Sequence, residues 1–398
     1  MLYIIVALFV VLYLIIMATI RIKMHFWHTQ PVFHIYNLKY WIKPPGFINM
    51  TPPSVNKFVN LSKNKLIIAG ASEAANEAAS EAASEAANNQ NSQICKFISD
   101  YYIIHESATY KPTEQDIMAY LQCTNQPSYF NIYQDSEQEL VGVTSARLLN
   151  VSLKKQNFGA YYVDNLCVKP GYRRKGIAPE MIQTFYYNVA RTNKKVNAYL
   201  FKREGQLNAI MPLVYYNTHV FDLSHYNPDT LLNASMNLIE ITVSQLNIFV
   251  AFIKEQTTKF DCVILPDLSN VLNLLKLGKL KIYGILSKGE LIAAYVFRCL
   301  ELYYDDKKAI ECIAIIEAQN NAHKNDILIA GFNMCWLKLK ELTQCAIVFI
   351  EGTAQSKVVI AALTLNPSAV FSFKSPTAFF LYNYAAYSVK NTKTLLIY

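Results

Sequence analysis

The 398-residue chain is poor in charge: Asp, Glu, Lys and Arg make up only 17% of it, against 53% hydrophobic residues. Such a composition excludes wholesale disorder and leaves ample chain for a core, enough for two to three domains at roughly 150 residues each. Cysteine is also scarce. Eight thiols are too few for a disulfide scaffold, and none stands in a Cys-x-x-Cys pair, which excludes a zinc ribbon or thioredoxin-type motif. Thiols isolated in apolar runs, such as Cys167 and Cys312, suit a reducing compartment. No basic-aromatic strand motif is present, so nucleic acid is not expected as a partner. His25 and His28 lack further clustered ligands, so no metal is expected. Lys and Arg outnumber Asp and Glu by 37 to 29, a mild, scattered surplus that favours anionic partners without choosing among them.

Long apolar runs are absent too, with one exception at the N-terminus. Leu2 to Ile20 carries no charge and is followed at once by Arg21 and Lys23. That length just spans a hydrocarbon core of about 30 Å as a helix. Met17-Ala18-Thr19 is a poor cleavage site, which favours a retained anchor over a signal peptide. The basic flank on its C-terminal side places the body in the cytosol, giving a single-pass membrane protein. Four Asn-x-Ser/Thr triplets, at Asn49, Asn60, Asn150 and Asn233, are what an Asn-rich chain yields by chance and do not reverse this topology.

After the apolar run, His25 to Pro53 is rich in Pro and aromatics and should form an extended arm. Ser72 to Ala87 is a tandem [Ser/Asn]-Glu-Ala-Ala repeat. Its glutamates recur at i,i+4 and repel, and it has no large apolar residue to bury, so it reads as a solvated, weakly helical or disordered insertion. From Ile94 the pattern is mixed α/β. Lys111-Pro112-Thr113 opens a helix over 114–121, strands are expected over 140–149 and 161–168, and a helix follows from Ile177 to about Arg191. The second half repeats the theme: a helix over 243–255, strands over 291–303 and 309–317, a helix over 326–342 and a buried strand over 345–351. Two similar α/β units follow, with a border near 215–228.

The turn after the 161–168 strand concentrates the charge. Arg173, Arg174 and Lys175 precede Gly176, Ile177, Ala178 and Pro179 in an Arg-x-x-Gly-x-Ala pattern that opens an amphipathic helix. Small residues let backbone N–H groups approach a phosphate, the helix N-terminus adds a positive partial charge, and the three cations add full ones.

This strand–turn–helix resembles the acyl-CoA pyrophosphate loop of the GNAT acyltransferase superfamily. Three further segments are similar to one branch of it, the N-myristoyltransferases. His25-Phe26-Trp27-His28-Thr29-Gln30-Pro31-Val32 resembles that family's Phe-Trp-x-Thr-Gln-Pro-Val. Asn165-Leu166-Cys167-Val168 with Ile177-Ala178-Pro179 resembles its Asn-Phe-Leu-Cys-Val … Val-Ala-Pro. Phe380-Leu381-Tyr382-Asn383-Tyr384 resembles its Tyr-Leu-Tyr-Asn-Trp, at nearly the family's distance from the last residue.

The resemblance implies a mixed α/β fold of two tandem GNAT domains behind one transmembrane helix. The expected division is an anchor at 1–22, an arm and the start of the acyl-CoA-binding domain at 23–70, the insertion at 71–92, an N-terminal domain at 93–218 and a peptide-binding C-terminal domain at 219–398. No tightly bound cofactor is implied; myristoyl-CoA is the co-substrate, and N-terminal-glycine proteins are the acceptors of a monomeric enzyme. By the same resemblance His25, Phe26 and Trp27 contact the CoA. Asn165 to Val168, including Cys167, line the thioester, and Arg173 to Pro179 wrap the pyrophosphate. Backbone N–H groups of Asn165 and Leu166 form the oxyanion hole, whose donors do not depend on side-chain identity. The carboxylate of Tyr398 serves as base, so no Ser/His/Asp or Cys/His arrangement is required. Tyr102, Tyr199 and Tyr215 fall on the acceptor side.

The departures gather on that acceptor side. Asn165 replaces the family's Phe, Leu200 stands in place of a Thr that helps hold the amine, and Tyr215-Tyr216-Asn217 replaces Tyr-Trp-His. Three functions remain open on sequence: an N-myristoyltransferase, an acyl-CoA acyltransferase with a different acceptor, and a non-catalytic acyl-CoA- or peptide-binding descendant.

Overall fold

The computed structural model describes residues 2–69, 81–105, 107–205, 209–228, 230, 232, 235–318 and 324–398. One long twisted sheet runs through both halves of the chain, with 16 strands among the described residues. Its backbone of strands, from one edge to the other, starts at Met236–Glu240, Leu280–Ser287, Glu290–Tyr304, Lys307–Glu317, Ile347–Glu351 and Val214–Asp222. It continues through Val370–Tyr382, Ala198–Glu204, Gln156–Val168, Leu140–Leu153, Cys262–Leu265 and Thr394–Leu396.

A strand–helix–strand unit with parallel strands occurs twice. In the first, Gln156–Val168 and Ala198–Glu204 pair in parallel across the helix Ile177–Thr192. In the second, Lys307–Glu317 and Ile347–Glu351 do so across the helix Lys324–Thr343. Parallel strands need such a crossover, and a helix supplies it while covering one sheet face. The first helix buries Met181, Phe185, Tyr186 and Val189, a stripe at helical spacing. The second buries Phe332, Cys335, Trp336 and Leu339 against Tyr295, Phe297 and Ile315.

The halves are stitched together rather than juxtaposed. Ala198–Glu204 pairs with Val370–Tyr382, and Leu140–Leu153 pairs with Cys262–Leu265. The expected border at 218/219 falls inside the strand Val214–Asp222, whose neighbours, Ile347–Glu351 and Val370–Tyr382, both come from the second half.

Local chemistry explains the well-marked elements. The helix Glu114–Leu121 starts at Thr113, whose hydroxyl accepts from the Asp116 N–H while the Asp116 side chain accepts from the Thr113 N–H. Residues 71–80 of the repeat lie outside the described residues. From Glu81 the chain is helical to Tyr101, carried by Ile94, Cys95, Phe97 and Ile98 packing against Met118 and Phe130 at the far end. The arm is extended between a 3-10 turn at Trp27–Thr29, a one-turn helix at Leu38–Ile42 and a two-residue strand, Gly46–Phe47. The helix Leu2–Lys23 is exposed along its length and is long and apolar enough to cross a membrane.

Candidate active site

The site lies where the first parallel pair opens. Pairing between Gln156–Val168 and Ala198–Glu204 covers Ala160↔Ala198 to Val163↔Phe201, then stops although both strands continue. At the same point the antiparallel ladder with Leu140–Leu153 shifts register: Ser145 faces Asp164 and Val143 faces Cys167, so one extra residue is accommodated on the 156–168 strand. This bulge holds Asn165 in the left-handed region, at φ 54°, and re-aims the backbone at Asn165–Leu166. Asn165 suits such a conformation better than a larger or β-branched residue would.

Asn165 lines three cavities that share walls. The first, about 240 Å³, is mostly apolar, with Trp27, Ile182, Phe185, Tyr186, Tyr199, Phe201 and Tyr382 around it and Leu166 at its edge. The second, about 350 Å³, is polar and includes Tyr102, Asp164, Lys202, Glu204, Arg298, Glu311 and Tyr398. A narrow recess of about 30 Å³ continues from it past Tyr162 to Arg147. Asp164 accepts from the Tyr102 hydroxyl at 2.7 Å and from the Asn165 N–H at 2.8 Å, while the Asn165 amide donates to Ser145 Oγ at 2.8 Å. Burial, and next the Asp164 charge, push the Tyr102 phenol well above its ordinary range.

The polar chamber is a network of buried charges. Lys202 Nζ lies 2.9 Å from Glu351 and 3.1 Å from Glu204. Burial alone would lower its pKa, but Glu351, Tyr398 and Glu204 outweigh it and hold the ammonium's pKa well above the usual lysine value. The Tyr398 hydroxyl donates to the same Glu351 oxygen, and its ring, 2% exposed, sits under the Arg298 guanidinium at 4.7 Å. Arg298 reaches Glu311 at 3.4 Å.

The residues marked in the sequence fall into three groups. Trp27 stacks on Phe201 at 5.5 Å and lines the apolar cavity; Phe26 is buried behind it against Phe58; His25 is exposed beside Lys57. In the turn, Arg173, Arg174 and Lys175 are all exposed, and Arg173 also folds back to donate to the Val168 carbonyl at 2.9 Å. Gly176 caps the helix at φ 82°, which only glycine adopts without cost, and Ile177, Ala178 and Pro179 form the first turn. Cys167 and Val168 are core residues; burial raises the Cys167 thiol to about 12. The arm and the C-terminal motif interlock. Gln30 accepts from the Tyr382 hydroxyl at 2.6 Å, and the Asn383 N–H donates to the Pro31 carbonyl at 2.7 Å.

The acceptor-side residues do not converge. Tyr102 lines both main cavities, but Tyr199 packs in the apolar one against Tyr186 and Tyr382. Tyr215 is 47% exposed, on the outer side of its strand; strand alternation turns its neighbour Tyr216 inward instead, toward Phe379. Leu200 is fully buried in the core. Sequence reading missed Arg147, Lys202, Arg298, Glu311 and Glu351. Arg147 and Glu351 are the single charges of their strands, and that was the available signal, whereas Lys202, Arg298 and Glu311 stand in strands that carry other charges.

A model of the Acetyltransferase (GNAT) family matches residues 93–210. No curated protein matches the chain. Among solved structures, Saccharomyces cerevisiae N-myristoyltransferase with bound myristoyl-CoA superposes with a TM-score of 0.69 at 12% identity, over 93% of this chain and 90% of that one. A second structure of that yeast enzyme with myristoyl-CoA gives 0.65 over 94% and 99%. A third, with myristoyl-CoA and inhibitors, gives 0.68 over 94% and 95%, both again at 12% identity. Residues 93–210 therefore carry a GNAT-type domain, and the chain as a whole has the tandem GNAT fold of the N-myristoyltransferases.

Proposed function

We propose that this protein is an acyltransferase that moves a myristoyl group from myristoyl-CoA to the amine of an N-terminal glycine. One observation carries the reading: the bulge at Asn165–Leu166 stands at the wall shared by an apolar cavity and a polar chamber. An acyl chain suits the first, an amine acceptor the second, and the thioester the junction. The basic turn with exposed Arg174 and Lys175 suits the CoA phosphates.

In this mechanism the amine attacks the thioester carbon, a C–N bond forms, the C–S bond breaks and CoA leaves as its thiol. The Asn165 and Leu166 N–H groups stabilise the developing oxyanion, which displaces the Asp164 carboxylate now bonded to Asn165. The carboxylate of Tyr398 takes the first proton, which the glycine ammonium must lose before it attacks, and the second, shed by the nitrogen as the amide forms, leaves on the CoA thiol. The apolar helix Leu2–Lys23 anchors the enzyme with its body in the cytosol, and keeps the CoA-contacting arm beside the bilayer that the acylated product seeks.

The test is incubation of the full chain with labelled myristoyl-CoA and glycine-initiated peptides. Label on the glycine nitrogen is expected. Tight acyl-CoA binding with no transfer to any such peptide overturns the reading in favour of a different acceptor or a non-catalytic binder.

A further inference from the structure

Arg147 sits in the middle of the strand Leu140–Leu153, 4% exposed, with its guanidinium lining the narrow recess beside Asn165. It makes one long hydrogen bond, 3.5 Å, to the neutral side chain of Asn270, and no ion pair with a carboxylate among the described residues. Asn270 is itself fixed by donating to the carbonyls of Ala119, Tyr120 and Gln122, so it holds Arg147 from behind. A second arginine faces the same recess. Among the described residues Arg298 has one ion pair, to Glu311, while its Nε is buried without a hydrogen-bond partner. Both guanidiniums lie against the Tyr120 ring, at 5.1 and 5.3 Å. The carboxylate of Asp164 also borders the recess, with one oxygen already taken by Tyr102 and Asn165.

A desolvated guanidinium without a counter-ion is costly to a fold unless something claims it. Burial lowers the Arg147 pKa to about 10, with Arg298 adding to the effect and Tyr120, Tyr162 and Asp164 opposing it, and the group keeps its charge at neutral pH. Planar guanidinium edges match the two oxygens of a carboxylate. The recess opens into the acceptor chamber, with which it shares Tyr162, Asp164, Asn165, Arg298 and Leu300.

We propose that Arg147 and Arg298 form a subsite for a carboxylate on the acceptor, so that the preferred acceptor pairs its reacting amine with a nearby acidic group. This deepens the transfer reading above and rests on it. The carboxylate has two possible sources: an acidic side chain close behind an N-terminal glycine, or the free carboxylate of a small amino acid.

The experiment uses the full chain. An aspartate is placed at the second, third or fourth position of an otherwise neutral glycine-initiated peptide, with the asparagine peptide as its partner and free glycine as the second arm. Transfer is measured for wild type, Arg147→Met and Arg147→Lys, and calorimetric binding of the same acceptors is measured in parallel. The expected result is a KM or Kd about tenfold to hundredfold lower for the acidic member of one pair, or for free glycine. That preference collapses toward unity in Arg147→Met and survives in part in Arg147→Lys, whose soluble, folded state is checked by circular dichroism. Equal binding of acidic and neutral acceptors by wild type overturns the subsite, whether or not transfer occurs. Absence of transfer alongside a charge preference in calorimetry overturns the transfer reading and leaves the subsite standing.

Discussion

In the first strand–helix–strand unit the parallel pairing ends at Val163 and Phe201; in the second it ends at Cys312 and Ile350, after the same four steps. Both first strands bulge against their antiparallel neighbours immediately beyond, at Asp164–Leu166 and at Ile313. There the likeness stops. Asp164, Asn165 and Leu166 are half-buried and border cavities, whereas Ile313, Ile315 and Ile316 are fully enclosed. The turn that opens the first helix carries Arg173, Arg174 and Lys175, while 318–325 in the second carries Lys324 as its one Lys or Arg. The same backbone opening thus borders cavities in one unit and is core in the other, with Asp164 and Asn165 in the first against branched apolar side chains in the second. The units also meet through matching positions. One step past each last pair stand Lys202 and Glu351, and these two form the buried ion pair beneath Tyr398.

That junction gives the largest expected effect. Lys202→Met leaves Glu351 buried without its cation and should cost about 3–5 kcal/mol in denaturant unfolding. Because the folded pKa of Lys202 is raised, its contribution is fully present below the unfolded value of roughly 10.4 and is lost only as pH rises through the folded value. Stability owed to this pair should therefore be flat across neutral pH. Next, adding one alanine after Tyr398 should lower transfer by about a hundredfold or more, with acyl-CoA affinity unchanged. Unaltered turnover would remove the terminal carboxylate from the mechanism.

The double variant Arg174→Glu, Lys175→Glu should weaken acyl-CoA binding by about tenfold to hundredfold, with a shallower salt dependence than wild type. Binding that ignores the reversal would break the contrast between the two helix-opening turns. In the second unit, Gly331 lets the helix approach the Tyr295 hydroxyl, and a Cβ there collides with it. Gly331→Ala should destabilise by about 1–3 kcal/mol while activity per folded molecule stays as in wild type. Smallest of all, Tyr382→Phe removes the bond to Gln30 that ties arm to sheet and should cost about 1 kcal/mol.

The periodic elements were legible because their cause is local. Thr113 capping Glu114–Leu121, the stripe from Met181 to Val189 and the basic turn before Ile177 all stand where their spacing put them. The pairings that build the site were not, since Ala198–Glu204 meets Val370–Tyr382, a strand far off in sequence. Nor was the bulge read, although Asp164-Asn165 pairs two residues that strands disfavour and Asn165 tolerates the left-handed region. The helix Glu81–Tyr101 runs into the repeat because its anchorage lies at the opposite end, in Ile94, Phe97 and Ile98. The acceptor side was least legible. Tyr215 points outward, and the charges that line the chamber come from four separate strands.

The central claim is that the opening of the first unit, and not its counterpart in the second, holds the reacting thioester. A crystal structure of the full chain with a non-hydrolysable myristoyl-CoA analogue tests it directly. The account predicts the acyl chain among Trp27, Phe185 and Tyr382, the carbonyl oxygen within hydrogen-bond distance of the Asn165 and Leu166 N–H groups, and the Asp164 carboxylate turned away. An acyl chain seated elsewhere, or Asp164 still bonded to the Asn165 N–H with the analogue bound, would contradict it.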